Sequence, residues 1–448
     1  MQWDARLAVT FLWTIFGTCC YLLAPGTAPF LLPLTVLAPM FWYPHNGIAR
    51  LLWSRSLVAQ IFAITSAYLA IRASWSTAPT SAYMTVATLL VVSAVVHIVT
   101  CIVPLLERAP VRAMSSGFYV GYVFCGFLIC IEIVFQYPLH IYLFSIYPML
   151  APQNNSEIVF ASGLVKSLPS YFLNRNIAAI AFLIWPALLV ATSLSSSIRT
   201  RTLLFLGLTP AVIAIFLSAH ATSKMAALGG VAVFFLTMVG PRLAKPLLST
   251  AWILAFISVV PLSWLAFHQY DLHKADWLPP SARHRIVYWG VSAAKIGESP
   301  VFGHGIASGR ELDLQARGQP EYVEGTSFVR SPGPHSHDAY LQIWFDVGVI
   351  GALLISLLGL SALASIGHVE PNLRPALYAV FATNALLAAS SFGIWASWFL
   401  ASFGLSTVFA SLAWKFGQLA EDLHPDQLAA GTPHDDGLER ARDRSYGA

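Results

Sequence analysis

Apolar runs long enough to cross a lipid bilayer recur along almost the whole chain, and no other feature constrains its fold as tightly. A span needs about 20 predominantly apolar residues. With boundaries placed at Pro, Gly and charged clusters, about twelve candidates emerge: 7–24, 30–43, 57–71, 82–106, 115–136, 177–194, 202–218, 225–240, 248–267, 339–363, 375–391 and 398–416. The second is short and Pro-rich. Only 10% of the 448 residues are Asp, Glu, Lys or Arg and 57% are hydrophobic, so too little polar surface exists to cover a water-soluble globule. Lipid must serve as the solvent. The expected fold is an all-α integral membrane protein of about twelve transmembrane helices.

A net charge of +4 spread over this length creates no strong field, and no basic stripe with interleaved aromatics is present, which excludes a nucleic-acid partner. Cys19, Cys20, Cys101, Cys125 and Cys130 all fall in apolar stretches without metal-ligand or disulfide-framework spacing and read as small core residues. The first run has no small-residue cleavage site and further spans follow at once, so it reads as a retained helix.

Lys and Arg are distributed unequally. One side collects Arg6, Arg50, Arg55, Arg108, Arg112, Arg199, Arg201, Arg242, Lys245, Arg374 and Lys415, whereas the short loops of the other hold only Arg72 and Lys224. The positive-inside rule makes the rich side cytoplasmic, places both termini there and puts the two long connections, 137–175 and 268–337, outside. Residues 1–267 then form helices 1–9, residues 268–337 a large outer loop, residues 338–417 helices 10–12, and 418–448 a polar, disordered cytoplasmic tail. Within the outer loop, 285–296 is half-apolar and is expected to be a helix lying at the membrane interface. No internal repeat is visible, which argues against a repeat-built secondary transporter.

The outer loop carries His268, His273, His284, His304, His335 and His337, and position singles out the last. Pro334-His335-Ser336-His337-Asp338-Ala339-Tyr340-Leu341-Gln342 runs directly into an apolar helix, so Ser336 or Asp338 is a candidate cap and His337 lies at the first turn. The positive end of the helix disfavours imidazolium and attracts anions, which suits a general base beside phosphate, while Asp338 pulls towards the charged form. Two other readings stay open: a purely structural cap, and a metal site, for which no third ligand has a recognisable spacing.

Upstream, Arg285 and Trp289 share a face if the segment is helical. Arg285 is then either a clamp for phosphate oxygens or half of a cation–π staple on Trp289. Gly303 and Gly305 suit a tight turn or close backbone approach. Arg175 and Asn176 precede the sixth span and Ser223-Lys224 opens the eighth, each placing a cation at a helix start, where snorkelling is the competing explanation. Glu132 and His97 lie inside spans and must face protein or water.

Together, Arg285-x-x-x-Trp289, Pro300-x-x-Gly303-x-Gly305 and His337-Asp338-x-Tyr340-Leu341-Gln342 followed by Gly348-Val349-Ile350-Gly351 resemble the O-antigen ligase family of bacterial envelope glycosyltransferases. O-antigen polymerases and protein O-oligosaccharyltransferases look similar. The sequence departs from the family pattern with Asp338 where Asn often follows the histidine, Arg175 where Pro often separates two asparagines, and Lys224 where Arg often follows the serine. Lys keeps the charge and loses the bidentate geometry.

The resemblance implies a GT-C-like architecture with a large, partly helical periplasmic loop before the tenth helix, in the bacterial inner membrane. It also implies transfer of a glycan from undecaprenyl diphosphate to a lipid A–core hydroxyl at the periplasmic face. His337 is then the general base and Arg285 the catalytic cation, with Lys224, Arg175, Asn176, His335, Asp338, Tyr340, Trp289, Gly303 and Gly305 around the substrates. No metal and no nucleotide is expected, since the first outer loop, 25–29, carries no acid and cations take the metal's place. A one-step displacement would invert the anomeric centre. The alternatives within the class are a polymerase or a protein O-oligosaccharyltransferase. Outside it stands a secondary transporter or flippase using Glu132.

Overall fold

The computed structural model describes residues 4–40, 57–150, 158–161, 164–195 and 197–421. Arg50 and Arg55 of the basic side, residues 41–43 of the second expected span and the tail beyond residue 421 lie outside them.

Among the described residues, each expected span falls on a helix. The chain opens with α1 (Ala5–Leu23), α2 (Ala28–Met40), α3 (Leu57–Ala73), α4 (Pro79–Ile102) and α5 (Arg108–Val134). The first long connection holds a short α6 (Pro138–Ile146) and an antiparallel hairpin, β1 (Val159–Ala161) with β2 (Leu164–Ser167), a small β element in an otherwise helical protein. Then come α7 (Asn174–Ser193), α8 (Ile198–Leu217), α9 (Ala221–Val239) and α10 (Pro241–Trp264). The second connection forms α11 (Pro280–Ile296) and α12 (Ser308–Gly318), followed by α13 (Ala339–Ile366), α14 (Arg374–Ser390) and α15 (Ser397–Glu421). Among the described residues nine helices are long and apolar enough to cross a membrane. Of the other expected spans, α2 has 13 residues and α3 and α14 have 17 each.

Small residues let the helices approach closely where lipid supplies no hydrophobic drive for association. Gly117 and Gly121 of α5 face α1 so tightly that a Cβ on Gly117 would lie 2.5 Å from the Phe11 carbonyl oxygen. The opposing Thr10, Thr14 and Thr18 donate their hydroxyls to carbonyls four residues earlier, at 2.8 Å each, so these three hydroxyls are paired within their own helix. The centre of the bundle is α7, buried from Asn176 to Ala191 along most of its faces. Phe182 sits edge-on to Phe399 and Phe403 of α15, and Phe118 of α5 stacks on Phe409 at 4.0 Å.

The half-apolar 285–296 segment is helical, but its apolar face meets protein where lipid was expected. Ile286 and Val287 pack with Phe267 and Val323, and Ile296 packs with Leu341 and Phe345 of α13. Immediately after this contact α13 kinks at Gly348 (φ 63°, ψ −166°). The loop 300–305 supplies the hydrogen bonds that the kink displaces: His304 N–H donates to Phe345 O and Gly305 N–H to Asp346 O at 2.8 Å, and Val349 N–H donates to Pro300 O at 2.9 Å. The outer loop is thereby locked onto the start of α13.

Candidate active site

Helices α10 and α14 start with Arg242, Lys245 and Arg374 and run towards the opposite end of the bundle; α15 runs the other way, ending near Lys415. At the end remote from those cations, the starts of α7, α9, α13 and α15 gather around the last residues of α14.

His337 stands one residue ahead of the α13 cap with its backbone left-handed at φ 56°. A non-glycine residue held there stores about 1–3 kcal/mol of strain, which its surroundings must offset. The cap is Asp338, whose Oδ1 accepts from Leu341 N–H at 3.1 Å, while Ser336 donates its hydroxyl to the Asp338 carbonyl at 2.7 Å. Trp289 of α11 braces the same turn, donating Nε1–H to Ser336 O at 2.7 Å.

The His337 ring is oriented from the far side of the site. Its Nδ1 lies 2.9 Å from the main-chain oxygen of Ser391. A carbonyl only accepts, so Nδ1 carries the hydrogen and the lone pair of the neutral ring falls on Nε2, which makes no hydrogen bond to a described residue. Burial pushes the pKa of His337 down; the Ser391 carbonyl opposes this, and the positive charge of Arg285 together with His284 reinforces it. The net direction is towards a neutral imidazole despite the adjacent Asp338, whose own carboxyl burial raises to about 7.

Arg285, half-buried on α11, reaches the same helix end. Its Nη1 donates to Ser390 Oγ at 3.2 Å and to Ser390 O at 3.3 Å. The stack on Trp289 open to it from helical spacing is not formed, because each side chain is drawn to a different partner. Arg175, by contrast, is held over an indole, at 5.8 Å from the ring centre of Trp398. His335 packs its ring 4.1 Å from that of His337. Burial drives its pKa down to about 4, with His337, Arg285 and Arg175 adding to the shift. Both imidazoles are thus pushed towards the neutral form.

The remaining residues singled out from sequence divide by contact. Lys224 lies half-buried in the first turn of α9, and its ammonium forms no ion pair among the described residues. Asn176 donates its amide to the carbonyls of Leu22 and Leu23 at 2.8 and 2.9 Å, which ties α7 to α1. Tyr340 is buried, donating to Ala385 O at 3.0 Å, with its ring 5.0 Å from that of Phe256. Gly303 and Gly305 have φ of 70° and 104°, and a Cβ on them would meet the Asp346–Val347 backbone at 2.5 Å and Ser76 Cα at 2.6 Å; both permit backbone approach. Glu132 pairs with His140 and accepts from Leu139 N–H at 2.7 Å, capping α6. His97 Nε2 is 3.9 Å from Cys101 Sγ. No group of three or more His, Cys, Asp or Glu suited to a metal ion occurs among the described residues.

Sequence reasoning did not single out His220, Thr222, Ser390 or Ser391. Thr222 Oγ1 donates to Ser390 O at 2.6 Å, the carbonyl that Arg285 also uses. His220 is buried, with Nδ1 2.6 Å from Ser223 Oγ and Nε2 3.2 Å from Ser391 Oγ. The available signal was an imidazole and two hydroxyls within four residues of an apolar helix start, next to Lys224.

Residues 202–356 match the family model described as O-antigen ligase. That segment includes Lys224, Arg285 and His337 and stops short of Ser390 and Ser391. Among curated proteins, the chain is 28% identical over 245 residues to a Rickettsia conorii protein provisionally named polysaccharide ligase, covering 53% of this chain and 56% of that one. A Rickettsia felis protein of the same provisional name is 27% identical over 241 residues, covering 52% and 56%. One from Rickettsia bellii is 31% identical over 125 residues, covering 28% and 30%. The chain spans about half the length of the longer of these alignments' partners.

Proposed function

Because the matched segment and the curated relatives support assignment to the O-antigen ligase family and a glycosyltransferase-type enzyme, we propose that the chain moves a glycan from undecaprenyl diphosphate to a hydroxyl of lipid A–core. The reaction takes place at the periplasmic face of the inner membrane, with both chain termini cytoplasmic. One observation carries the proposal: the Nδ1–H of His337 is committed to Ser391 O, which leaves Nε2 as a neutral acceptor, while the Arg285 guanidinium is anchored on the preceding residue, Ser390.

The acceptor hydroxyl oxygen forms a bond to the anomeric carbon as the bond from that carbon to the diphosphate oxygen breaks. The electron pair leaves with the diphosphate. His337 Nε2 takes the hydroxyl proton and later yields it to the released diphosphate. Diphosphate is already a good leaving group, so the protein has only to hold its charge, a task that falls to Arg285 and Lys224 with Arg175 and the positive start of α9 nearby. Three fixed cations would make a divalent metal unnecessary, and a single displacement inverts the configuration. His335 and Asp338 bracket the base, Trp289 braces the turn that carries it, and Asn176 ties α7, which carries Arg175, to α1.

The test is transfer in proteoliposomes from a polyprenyl-diphosphate oligosaccharide to lipid A–core, without nucleotide and with chelator present. Product of inverted configuration supports the reading. Elongated glycan remaining on the carrier would make the protein a polymerase. Chelator-sensitive transfer would overturn the metal-free mechanism, and translocation of the carrier with no bond broken would overturn catalysis altogether.

A further inference from the structure

The last residue of α14, Ser390, and the residue after it, Ser391, form a clasp on which three separate segments converge. Ser391 O receives His337 Nδ1–H at 2.9 Å, Ser390 receives Arg285 Nη1, and Thr222 Oγ1 donates to Ser390 O at 2.6 Å. The conformation of this clasp is not dictated by the helix, since Ser391 has already left helical geometry at φ −115° and ψ −93°. Some other contact must hold its carbonyl where the imidazole of His337 needs it.

His220 makes that contact. It sits one residue ahead of α9, 7% exposed, and is fixed on three sides: Nδ1 against Ser223 Oγ at 2.6 Å, Nε2 against Ser391 Oγ at 3.2 Å, and its ring stacked on Phe392 at 5.5 Å. Its two ring nitrogens grip the residue after α14 and the first turn of α9 at once. Burial, aided by Arg285, lowers its pKa to about 4, so it serves as a neutral donor–acceptor pair rather than as a charge.

We infer that His220 is a positioning residue: by holding Ser391 and Phe392 it sets the carbonyl that fixes the tautomer and aim of His337, and it ties that aim to the helix turn bearing Lys224. This rests on the general-base reading of His337 and extends it to a residue that never touches substrate. A displacement of about 1 Å in such a support costs about 100-fold in rate. Loss of the His220 contact alone therefore acts on turnover and not on donor binding, because Arg285 keeps its own bonds to Ser390 and Lys224 keeps its charge.

Full-length His220→Ala, His220→Gln and Ser391→Ala proteins, reconstituted in proteoliposomes with the polyprenyl-diphosphate oligosaccharide and lipid A–core, test the inference. His220→Ala is expected to lose about 10-fold to 100-fold in kcat per folded molecule with donor KM unchanged. His220→Gln, which retains a donor and an acceptor, is expected to recover part of the loss, and Ser391→Ala to mirror His220→Ala. A second readout does not depend on turnover: nitrogen-15 histidine spectra should show His337 as the Nδ1–H tautomer in the unsubstituted protein and as a mixture in His220→Ala, the signal being identified with His337→Ala. Unchanged kcat together with an unchanged tautomer in His220→Ala would overturn the inference. Full turnover in His337→Ala would instead overturn the general-base reading on which it stands.

Discussion

His337 and Ser391, 54 residues apart in sequence, are joined by a hydrogen bond of 2.9 Å from imidazole Nδ1 to a main-chain oxygen. The carbonyl dictates the tautomer, and the tautomer presents Nε2 as the only basic position.

Replacing His337 by Ala should therefore lower kcat by about 10²–10⁴-fold, the usual worth of a positioned base, with little change in donor KM. Steady-state transfer in proteoliposomes measures both. His337→Ala turning over like the parent protein would remove the base from this residue.

Arg285 offers a different signature. Its guanidinium is anchored through Nη1 to Ser390, and Lys at this position keeps a charge while losing the planar fork. Arg285→Lys is expected to raise donor KM about tenfold, and Arg285→Ala to reduce kcat/KM further. Competition by inorganic diphosphate should weaken in parallel.

Asp338 caps α13 through Oδ1 to Leu341 N–H. Asn retains that acceptor and Ala removes it. Asp338→Asn is expected to leave thermal stability within about 0.5 kcal/mol of the parent protein, whereas Asp338→Ala costs about 1 kcal/mol. Equal losses for both would mean that the negative charge, not the cap, stabilises the turn.

Gly348 accepts a backbone conformation of φ 63° at the α13 kink, and a Cβ there would lie 2.3 Å from Val301 O. Gly348→Ala is expected to destabilise the protein by at least about 2 kcal/mol, combining left-handed strain with a backbone clash. Thermal unfolding in detergent reports it.

Acid should destabilise the fold through two histidines. His220 and His335 have folded pKa values of about 4 against an ordinary 6.5. Between those values the unfolded chain binds more protons than the folded one, so stability rises with pH there. This contribution is complete above pH 6.5 and is lost as pH falls to about 4. His335→Gln should flatten the dependence of melting temperature on pH in that window, and an unchanged slope would contradict the neutral imidazole.

Much of the site's composition was legible in the primary structure because its residues stand at helix starts, where polar side chains interrupt apolar runs. His337 and Lys224 stood out in this way, as did the capping role of Asp338, whereas Arg285 stood out by its spacing from Trp289. The expected Arg285–Trp289 stack failed because spacing reports which residues share a helix face and not what lies opposite. Trp289 found the Ser336 carbonyl, and Arg285 found Ser390. Gly303 and Gly305 were visible as conformational exceptions, but their partners on α13 were not. Ser390 and Ser391 carry no local signature, since a serine ending an apolar helix is ordinary, and the one signal at His220, its place beside Thr222, Ser223 and Lys224 at a helix start, does not say what it holds.

Apolar length and the scarcity of charge determine by themselves that this chain dissolves in lipid as helices, because backbone groups in a bilayer must pair within their own segment. The same arithmetic locates the helices and the polar loops between them. Tertiary structure alone decides which loop residues meet, since the hydrogen bonds that orient His337 and Arg285 come from the end of α14, beyond the reach of any periodicity. Helix packing is set by small residues and close contacts spread over the whole chain, and only their joint solution brings a carbonyl at Ser391 to an imidazole at His337.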